Sequence, residues 1–236
     1  MEVSEISVKK VNRQEVLKYL GFRGNEIPSD VDALIYECIE DIKSFSKPKY
    51  IYQIFEIDRE KTSKHRDRVF LKDTDFVLIG NDINEMLSEC DKCVLMAVTL
   101  GVVVDNKIRV QQIRDLTKSI ILDSCASSAI ESVCNEINER IEKEYNAIGL
   151  FLTDRFSPGY GDMPISQQPD FLRVLDAQRK IGLNVSSSGI MIPRKSVTAI
   201  IGISNKKQLK RFAGCENCKM FMNCEYRKSG ISCGRF

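Results

Sequence analysis

One stretch of the chain, residues 155–204, combines an arginine that could bind an anionic ligand with a turn that exposes the backbone. It opens with Arg155 and continues through Ser157, Gly159 and Tyr160 in the hexapeptide RFSPGY. Arginine presents a fixed fork of donors that matches a carboxylate. Glycine lets a ligand approach the main chain closely, and a Pro-Gly pair marks a turn. The stretch therefore predicts a site for a ligand that carries a carboxylate.

A second group of reactive side chains lies near the C-terminus. The pattern C-x2-C-x5-C-x8-C is formed by Cys215, Cys218, Cys224 and Cys233. Four thiolates can hold a zinc ion tetrahedrally or ligate an iron–sulfur cluster, and no histidine lies nearby. The pattern leaves three alternatives open, which are an iron–sulfur cluster, an all-thiolate zinc site and four free thiols. Cys90 and Cys93 form another C-x-x-C pair, but they border an apolar strand and are expected to be buried free thiols.

Composition and missing motifs narrow the function. The 236 residues carry a formal net charge of +2, which is too small to argue for nucleic acid or an anionic membrane surface. His65 is the only histidine and lies in a polar run, so neither a histidine-dependent triad nor a histidine-rich zinc site is expected. Neither a G-x-G-x-x-G loop nor a Walker A loop occurs. The Cys-x3-Cys-x2-Cys signature of radical adenosylmethionine enzymes is also missing.

The chain is expected to work in the cytoplasm as one domain with a short appendage. Nine cysteines without an export signal favour a reducing compartment, and no apolar run reaches the length of a membrane span. Residues 1–205 are expected to form the domain. Residues 206–236, which are basic and rich in cysteine, are expected to form a metal-binding tail.

The elements that must position these residues follow an α+β order. Helices are predicted at 13–20, from Ser29, and at 106–145 with a break near Asp115. Asn12 and Glu15 predict a capping box for the first of these helices. Strands are predicted at 50–57, 69–71, 75–79 and 93–100.

The predicted elements around Arg155 bring it to the edge of a sheet. A strand at 147–152 is expected to deliver Arg155 into the Pro-Gly loop. Ser166 is expected to cap a helix that Gly182 ends, and Asp82 to cap a helix that runs to Leu87. Residues 184–192 and 197–203 predict a hairpin of strands that returns to the sheet.

The stretch resembles the activation domain of cobalamin-dependent methionine synthase. The shared positions are R-x-x-P-G-Y at 155–160, Pro164, Leu175, Asp176, Gly182, Leu183, and M-x-P-x-x-S-V at 191–197. The preceding helix, with Ala129 and Glu131, resembles the family helix before this motif. The resemblance implies an α+β fold in which helices flank a twisted, mainly antiparallel sheet. The length is expected for a stand-alone activation subunit.

The resemblance also implies a task. In this family, S-adenosylmethionine remethylates a corrinoid that has been oxidised, after one-electron reduction of its cobalt. The sulfonium is already a good leaving group, so positioning and exclusion of water would carry the reaction. The Asp-x-His-x-x-Gly motif that ligates cobalt is missing from this chain. The corrinoid is therefore expected on a separate methionine synthase subunit, and the electron on a reductant protein such as flavodoxin or ferredoxin.

The resemblance assigns roles to four residues. Arg155 would pair with the carboxylate of S-adenosylmethionine, Ser157 and Gly159 would offer main-chain groups, and Tyr160 would line the pocket near the adenosyl part. One position departs from the family, because Gly149 stands where the family has an acidic ligand contact six residues before the arginine. Asp154 and Glu144 are the candidates to replace that contact.

Two other classes of function stay open. An autonomous S-adenosylmethionine-dependent methyltransferase on the same scaffold would turn over a small substrate without a corrinoid partner. An electron-transfer or binding module would instead use the cysteines of the tail, and the Arg155 loop would have no function in it. An iron–sulfur cluster in the tail would suit the accessory subunit too, because reactivation needs a low-potential electron.

Overall fold

The fold was analysed in a computed structural model, which describes residues 2–22, 26–208 and 222. Along these residues the strands are β1 (Glu2–Glu5), β2 (Lys49–Glu56), β3 (Arg68–Phe70), β4 (Val77–Ile79), β5 (Lys92–Thr99), β6 (Phe151–Leu152), β7 (Asn184–Val185), β8 (Met191–Ile192) and β9 (Ser196–Ser204). The α-helices are α1 (Arg13–Tyr19), α2 (Ser29–Phe45), α3 (Arg59–Thr62), α4 (Asn81–Met86), α5 (Val102–Arg114), α6 (Leu116–Asn146), α7 (Gln168–Val174) and α8 (Ala177–Ile181). The predicted α+β order is confirmed.

The main sheet has the strand order β1-β2-β5-β9-β6, and every pairing in it is antiparallel. Strand β9 comes last along the described chain, yet it lies inside the sheet between β5 and β6. Strand β6 is an edge strand of only two residues that pair with Ser204 and Ile203. The chain that leaves β6 therefore runs along the open edge of the sheet to Arg155.

The sheet separates two apolar clusters, and the alternation of side chains along β5 supplies both. Val94, Met96 and Val98 belong to the first cluster, whereas Cys93 and Leu95 belong to the second. All five are fully buried. A sheet that is covered on both faces explains why β5 reads as a continuous apolar run.

Helices α1, α2, α5 and α6 cover the first face. The 31-residue α6 is roughly 45 Å long at 1.5 Å per residue, and it contacts the other three. The predicted break is confirmed, because Asp115 is extended and its carboxylate accepts from the Lys118 backbone N–H at 3.0 Å. Asp115 thus ends α5 and caps α6.

Helix α1 is capped differently from the prediction. The Asn12 side chain accepts from the Gln14 backbone N–H at 3.0 Å, as an N-cap should. Glu15 does not complete a capping box, because its carboxylate accepts from Ser128 Oγ on α6 at 3.0 Å. Ser128 Oγ also accepts from the Asn12 N–H at 3.0 Å. The contact of Glu15 with α6 therefore replaces the predicted hydrogen bond between Glu15 and the start of its own helix.

The second face carries the β3–β4 hairpin, the short helices and a small β7–β8 sheet. Phe76 and Phe171 meet edge to face in this cluster, with ring centroids 6.0 Å apart. Helix α8 contacts both β2 and β5. This layer supports the loop that follows Arg155.

Two predictions for the segment after Arg155 are wrong in detail. The predicted hairpin does not return as a unit, because β7 pairs with β8 in a separate sheet and only β9 joins the main one. The helix predicted after Ser166 is two helices, since Asp176 has a φ of 53° and interrupts it between α7 and α8. Ser166 itself lies within a 3₁₀ turn at Ile165–Gln167 and not at a cap.

The strand predicted before Arg155 is also shorter than expected. Before Arg155, only Phe151–Leu152 forms strand pairs with β9. The backbone N–H groups of Ile148 and Leu150 both donate to the carbonyl of Tyr145, so residues 147–150 form the turn that ends α6. The short strand sets Arg155 directly beside the C-terminal half of α6.

Candidate functional site at Arg155

A cleft of about 440 Å³ lies between the C-terminal half of α6 and the edge strand β6. It is lined by Asn135, Asn138, Glu142, Asn146, Phe151, Leu152, Thr153, Asp154, Arg155, Lys207 and Gln208. The α6 residues among them recur at helical spacing and so share one face of the helix. The cleft is mainly polar, with two acidic and two basic side chains in its lining.

The guanidinium of Arg155 is held from one side by α6. Its Nη2 donates to Asn135 Oδ1 at 2.8 Å and to Glu131 Oε2 at 3.2 Å. Glu131 and Asn135 stand four residues apart, which places them one above the other on the helix. The Arg155 side chain is only 23% exposed, so these two contacts fix the plane of the guanidinium.

Two polar atoms on residues that line the cleft are buried and lack a hydrogen-bond partner among the described residues. They are Nη1 of Arg155, which can only donate, and Oδ1 of Asn138, which can only accept. A buried polar group without a partner costs about 1–3 kcal/mol. Both residues line the cleft, so its wall carries a guanidinium and an amide.

Asn138 escaped the sequence analysis, although a signal for it exists. Glu131, Asn135, Asn138 and Glu142 recur at spacings of four, three and four along α6. In the sequence, such a run is equally typical of a solvated helix face. Only the contact of Arg155 with this face distinguishes a candidate site from a solvated face. These polar residues of α6 form part of the candidate site because Arg155 contacts Asn135, which lies 20 residues before it in the chain.

A buried thiol lies beneath the arginine. Burial raises the pKa of Cys134 to about 12, although the neighbouring Arg155 guanidinium acts in the opposite direction. The thiol is therefore protonated at neutral pH and is not a nucleophile. It serves as packing under the guanidinium.

The Pro-Gly loop has most of its predicted contact groups engaged within the protein. Ser157 Oγ donates to the carbonyl oxygen of Thr198 at 2.6 Å. The Gly159 N–H donates to the carbonyl of Met163, and the Tyr160 N–H closes a turn onto the carbonyl of Ser157. The Tyr160 ring is 51% exposed.

The structure thus separates the four predicted contact residues into two places. Arg155 lines the cleft, whereas Ser157, Gly159 and Tyr160 are not among the residues that line it. Phe156, between them, forms a bridge to Ile200 and is buried in the second cluster. The chain therefore passes from one face of the sheet to the other immediately after Arg155.

The residues that follow Tyr160 anchor the loop to helix α4. Asp162 accepts from the backbone N–H groups of Asn81 and Asp82 at 2.7 and 3.1 Å, and so caps the helix. Asp82, predicted to be the cap itself, instead accepts from the N–H of Asp162 at 3.1 Å. Burial raises the pKa of Asp162, but these hydrogen bonds outweigh it and hold the pKa below its ordinary value.

Gly161 makes this anchor sterically possible. Its φ is 55°, and a Cβ there would lie 2.9 Å from the ring of Phe156 and closer still to the carboxylate of Asp82. Real Cβ atoms do not approach that closely. The glycine therefore serves close packing between the loop and α4.

The M-x-P-x-x-S-V segment fixes the start of β9. Ser196 Oγ donates to the carbonyl of Pro193 at 2.7 Å. Lys195 Nζ donates to Ser127 Oγ at 2.8 Å and pairs with Asp123 at 3.0 Å on α6. These contacts set β9 against α6 and make this part of the motif structural.

The predicted position of the missing acidic contact is clarified in part. Gly149 lies in the turn that ends α6, and neither it nor Glu144 lines the cleft. Asp154 does line it, and so does Glu142. Of the two predicted replacements, only Asp154 lines the cleft, and its contact with a ligand stays a prediction.

The four tail cysteines Cys215, Cys218, Cys224 and Cys233 lie outside the described residues. Within the described ranges no three His, Cys, Asp or Glu side chains converge as a metal site. Cys90 and Cys93 are buried free thiols there, which confirms that prediction. No helix in the part of the chain that the structure covers is long and apolar enough to cross a membrane.

Comparison with known proteins identifies relatives of this fold. A family model described as "Vitamin B12 dependent methionine synthase, activation domain" matches residues 33–215. Among solved structures, the crystal structure of the MetH reactivation domain bound to AdoHcy is similar, with a TM-score of 0.66 and 14% identity. The match covers 99% of this chain and 87% of that chain, and it confirms the predicted fold. No curated protein matches significantly.

Proposed function

Because the chain belongs to the family of vitamin B12-dependent methionine synthase activation domains, we propose that it binds S-adenosylmethionine and supports reductive methylation of a corrinoid on a separate methionine synthase subunit. The corrinoid is a substrate of this reaction. One electron reduces its cobalt, and the methyl group then leaves the sulfonium sulfur for the cobalt, which releases S-adenosylhomocysteine. The family match covers the ligand cleft and so supports the proposal.

The observation that carries the proposal is the position of Arg155 in the wall of the cleft, where Glu131 and Asn135 hold its guanidinium. S-adenosylmethionine ends in an amino acid, whose carboxylate accepts the hydrogen bonds that a guanidinium donates. Glu131 and Asn135 accept hydrogen bonds from Nη2 and so fix the orientation of the guanidinium. The guanidinium is thus preorganised, and a preorganised donor loses less entropy when a ligand binds.

The size and charge of the cleft agree with such a ligand. A volume of about 440 Å³ falls within the range of roughly 300–1,000 Å³ that is usual for small-molecule sites. The carboxylates of Glu142 and Asp154 in its lining attract the sulfonium and the ammonium. The cleft therefore carries charges opposite to those of the ligand carboxylate and of its two cationic groups.

We assign no general acid or base to this chain. The sulfonium is a ready leaving group, so the reaction needs orientation and exclusion of water more than proton transfer. The residues of this chain bind and orient the methyl donor, and Tyr160 and the main chain of Ser157 and Gly159 are proposed to complete the pocket when the corrinoid protein docks. The protein is in this sense an accessory subunit.

The cysteine tail is proposed to hold the metal that delivers the electron. An iron–sulfur cluster on Cys215, Cys218, Cys224 and Cys233 would supply a low-potential electron, and zinc would instead clip the tail together. Lys207 and Gln208, which line the cleft, are the last residues described before this segment. Visible absorbance with matching iron content after anaerobic purification supports the cluster, whereas colourless protein with one zinc refutes it. Flavodoxin or ferredoxin is the proposed upstream reductant, and the cytoplasm the proposed compartment.

Isothermal titration calorimetry with S-adenosylmethionine tests ligand binding. The native protein is expected to bind, and the Arg155→Ala variant to bind about 10- to 100-fold more weakly, because a charge-assisted hydrogen bond is worth about 1.5–3 kcal/mol. Arg179→Ala is the matched control, since Arg179 also pairs with a carboxylate but is 77% exposed on α8. Absence of binding by the native protein would overturn the proposal.

The partner requirement is tested separately by methyl transfer. Methylation is expected only when a corrinoid protein and an electron donor are both supplied. Turnover of a small acceptor without any corrinoid would favour the autonomous methyltransferase instead. Electron transfer that persists undiminished without S-adenosylmethionine binding would favour the electron-transfer module.

A further inference from the structure

The corner where α5 meets α6 exposes apolar side chains that the core does not use. The buried residues of α5 are Val104 and Ile108. Single exposed apolar side chains are ordinary on a protein surface, whereas several neighbouring ones mark an interaction site. We name the exposed apolar side chains of this corner the corner patch, which consists of Val110, Ile113, Leu116 and Ile120.

The members of the corner patch lie close together. The two on each helix are three or four residues apart and so share one face of that helix. Between the helices, the chain from Ile113 to Leu116 spans at most about 11 Å. The Ser119 hydroxyl on α6 donates to the carbonyl of Ile108 on α5 at 3.3 Å and holds the two helices together. The four apolar side chains therefore belong to one corner of the molecule.

Two arginines flank the corner patch. Arg109 stands four residues before Ile113, and Arg114 four residues after Val110, so each is the surface neighbour of an apolar side chain. Neither forms an ion pair with a residue that the structure describes, and Arg109 makes one side-chain hydrogen bond, to an asparagine of its own helix. The rim of the patch thus carries positive charge that the protein itself does not neutralise.

The charge of the rim decides between two kinds of partner. A two-fold contact sets the same patch of two copies against itself, which would bring arginine close to arginine. Asp115, the acidic residue between the two helices, already caps α6. The corner patch therefore favours a different protein, one with carboxylates around an apolar centre.

The corner patch lies away from the Arg155 cleft. Asn135 lines the cleft, and Ile120 stands 15 residues before it, which is about 22 Å along the helix. A partner held at the patch can therefore stay bound while the cleft is open. An open cleft is needed each time the methyl donor enters and its product leaves.

We propose that the corner patch anchors the subunit that carries the corrinoid, through an apolar surface bordered by carboxylates on that subunit. This inference rests on the proposed function, which assigns the corrinoid to a separate chain. Two chains that part at the cleft in each cycle stay together through a second contact, because that contact keeps the corrinoid at a high effective concentration near the cleft. The patch thus replaces a covalent link between the two chains.

Calorimetry with the full-length chain and the purified corrinoid subunit of the same organism tests the anchor. Ile113 is 88% exposed, so an aspartate is tolerated there by the fold. The Ile113→Asp variant is expected to bind the corrinoid subunit about 10-fold more weakly, and S-adenosylmethionine as well as the native protein does. Val3→Asp is the matched control and should change neither affinity, since Val3 is exposed on β1, at the sheet edge opposite β6.

The charged rim is tested by association kinetics. Arg109→Glu is expected to slow association with the corrinoid subunit about threefold and to weaken its dependence on salt. Native association that does not depend on salt, with an unchanged rate in the variant, would contradict the proposed acidic border.

A measurement on the native protein does not depend on any variant. Hydrogen exchange across residues 109–120 is expected to slow when the corrinoid subunit binds. Unchanged exchange there, or equal affinity of the native and Ile113→Asp proteins, overturns the anchor while the complex itself stands. Native dimers that Ile113→Asp converts to monomers, or binding to phosphatidylglycerol vesicles that it abolishes, assign the patch to a second copy or to a membrane and overturn it too. A native protein that binds no corrinoid subunit overturns the proposed function as well, which distinguishes the two failures.

Discussion

Arg155 and the loop at 157–163 are separated by one residue, yet their polar groups are satisfied in different ways. The guanidinium of Arg155 has one nitrogen without a partner among the residues described, and Arg155 lines a cleft. In the loop, Ser157 Oγ, the N–H of Gly159 and both oxygens of Asp162 are all engaged by the protein itself. A single continuous motif thus combines a prepared binding group with a rigid support.

The difference separates two kinds of mutational effect. Changes to the loop side chains that bond or pack within the protein, those of Ser157 and Asp162, and an added side chain at Gly161 should lower the stability of the fold. They should leave ligand affinity nearly unchanged in the molecules that remain folded. Changes around the guanidinium should lower affinity and leave stability unchanged. A loop residue whose change lowers affinity but not stability would contradict this comparison. A residue around the guanidinium whose change lowers stability but not affinity would contradict it too.

The largest effect is expected for Gly161→Ala. The added Cβ would meet Phe156 and the carboxylate of Asp82, and the residue has a positive φ of 55°. Overpacking and the left-handed conformation together should lower the free energy of unfolding by about 3 kcal/mol, as measured by urea denaturation.

A matched glycine isolates the steric part of that effect. Gly182 has a φ of 70°, but a Cβ there would meet no atom within 4 Å. Gly182→Ala should therefore lose only about 1–2 kcal/mol, the conformational part. Equal losses at the two positions would show that the loop is not pressed against α4.

Asp162→Ala is expected to lower the free energy of unfolding by about 1–2 kcal/mol at pH 7, because it removes the cap of α4. The pKa of Asp162 is lowered in the folded protein, so its stabilisation is present above the ordinary carboxyl pKa and is lost as the pH falls through the lowered one. The difference between native and variant should be constant above about pH 5 and shrink below about pH 4. Urea denaturation across this range measures it, and a difference that stays unchanged at low pH would contradict the capping role.

Ser157→Ala should lower the free energy of unfolding by about 1 kcal/mol, the usual worth of one hydrogen bond. The lost bond is the one to the carbonyl of Thr198. Ligand affinity is expected to stay at the native value, because the role proposed for Ser157 in binding uses its main chain. A variant with native stability and weaker binding by calorimetry would place the hydroxyl in the ligand site instead.

Asn135→Ala should give the opposite pattern with the smallest effect. Asn135 is exposed, and its side chain holds Nη2 of Arg155 at 2.8 Å. Loss of this contact should weaken binding of S-adenosylhomocysteine about two- to fivefold, while thermal unfolding should stay within about 0.5 kcal/mol of native. A large loss of stability would mean that the Asn135 contact supports the fold more than the site.

Local patterns in the sequence predict most of the helical layer. The apolar positions of α6 and the extended Asp115 at its start follow from 3.6-residue periodicity and a capping side chain, both of which act within one or two turns. Arg155 also follows, because its motif is local. These features need no knowledge of which elements meet.

Features that depend on distant partners are the ones that the sequence does not predict. Asp82 and Asp162 exchange capping roles across 80 residues of chain, and Glu15 turns to Ser128 in place of its own helix end. The strand pattern at 184–192 does not indicate whether these residues pair with β9 or with each other, as β7 and β8 do. Asn138 is identified only when β6 has placed Arg155 against α6.

The position of β9 in the sheet affects how the protein folds during synthesis on the ribosome. β9 lies between β5 and β6, and its Ile200 and Ile201 are fully buried on opposite faces of the sheet. A nascent chain that stops before Ser196 has a sheet divided in two and apolar surface open on both sides. Such a chain cannot fold step by step as it emerges, and it presents β5 as an unpaired edge that invites aggregation. Synthesis of β9 is therefore the event that closes both cores together.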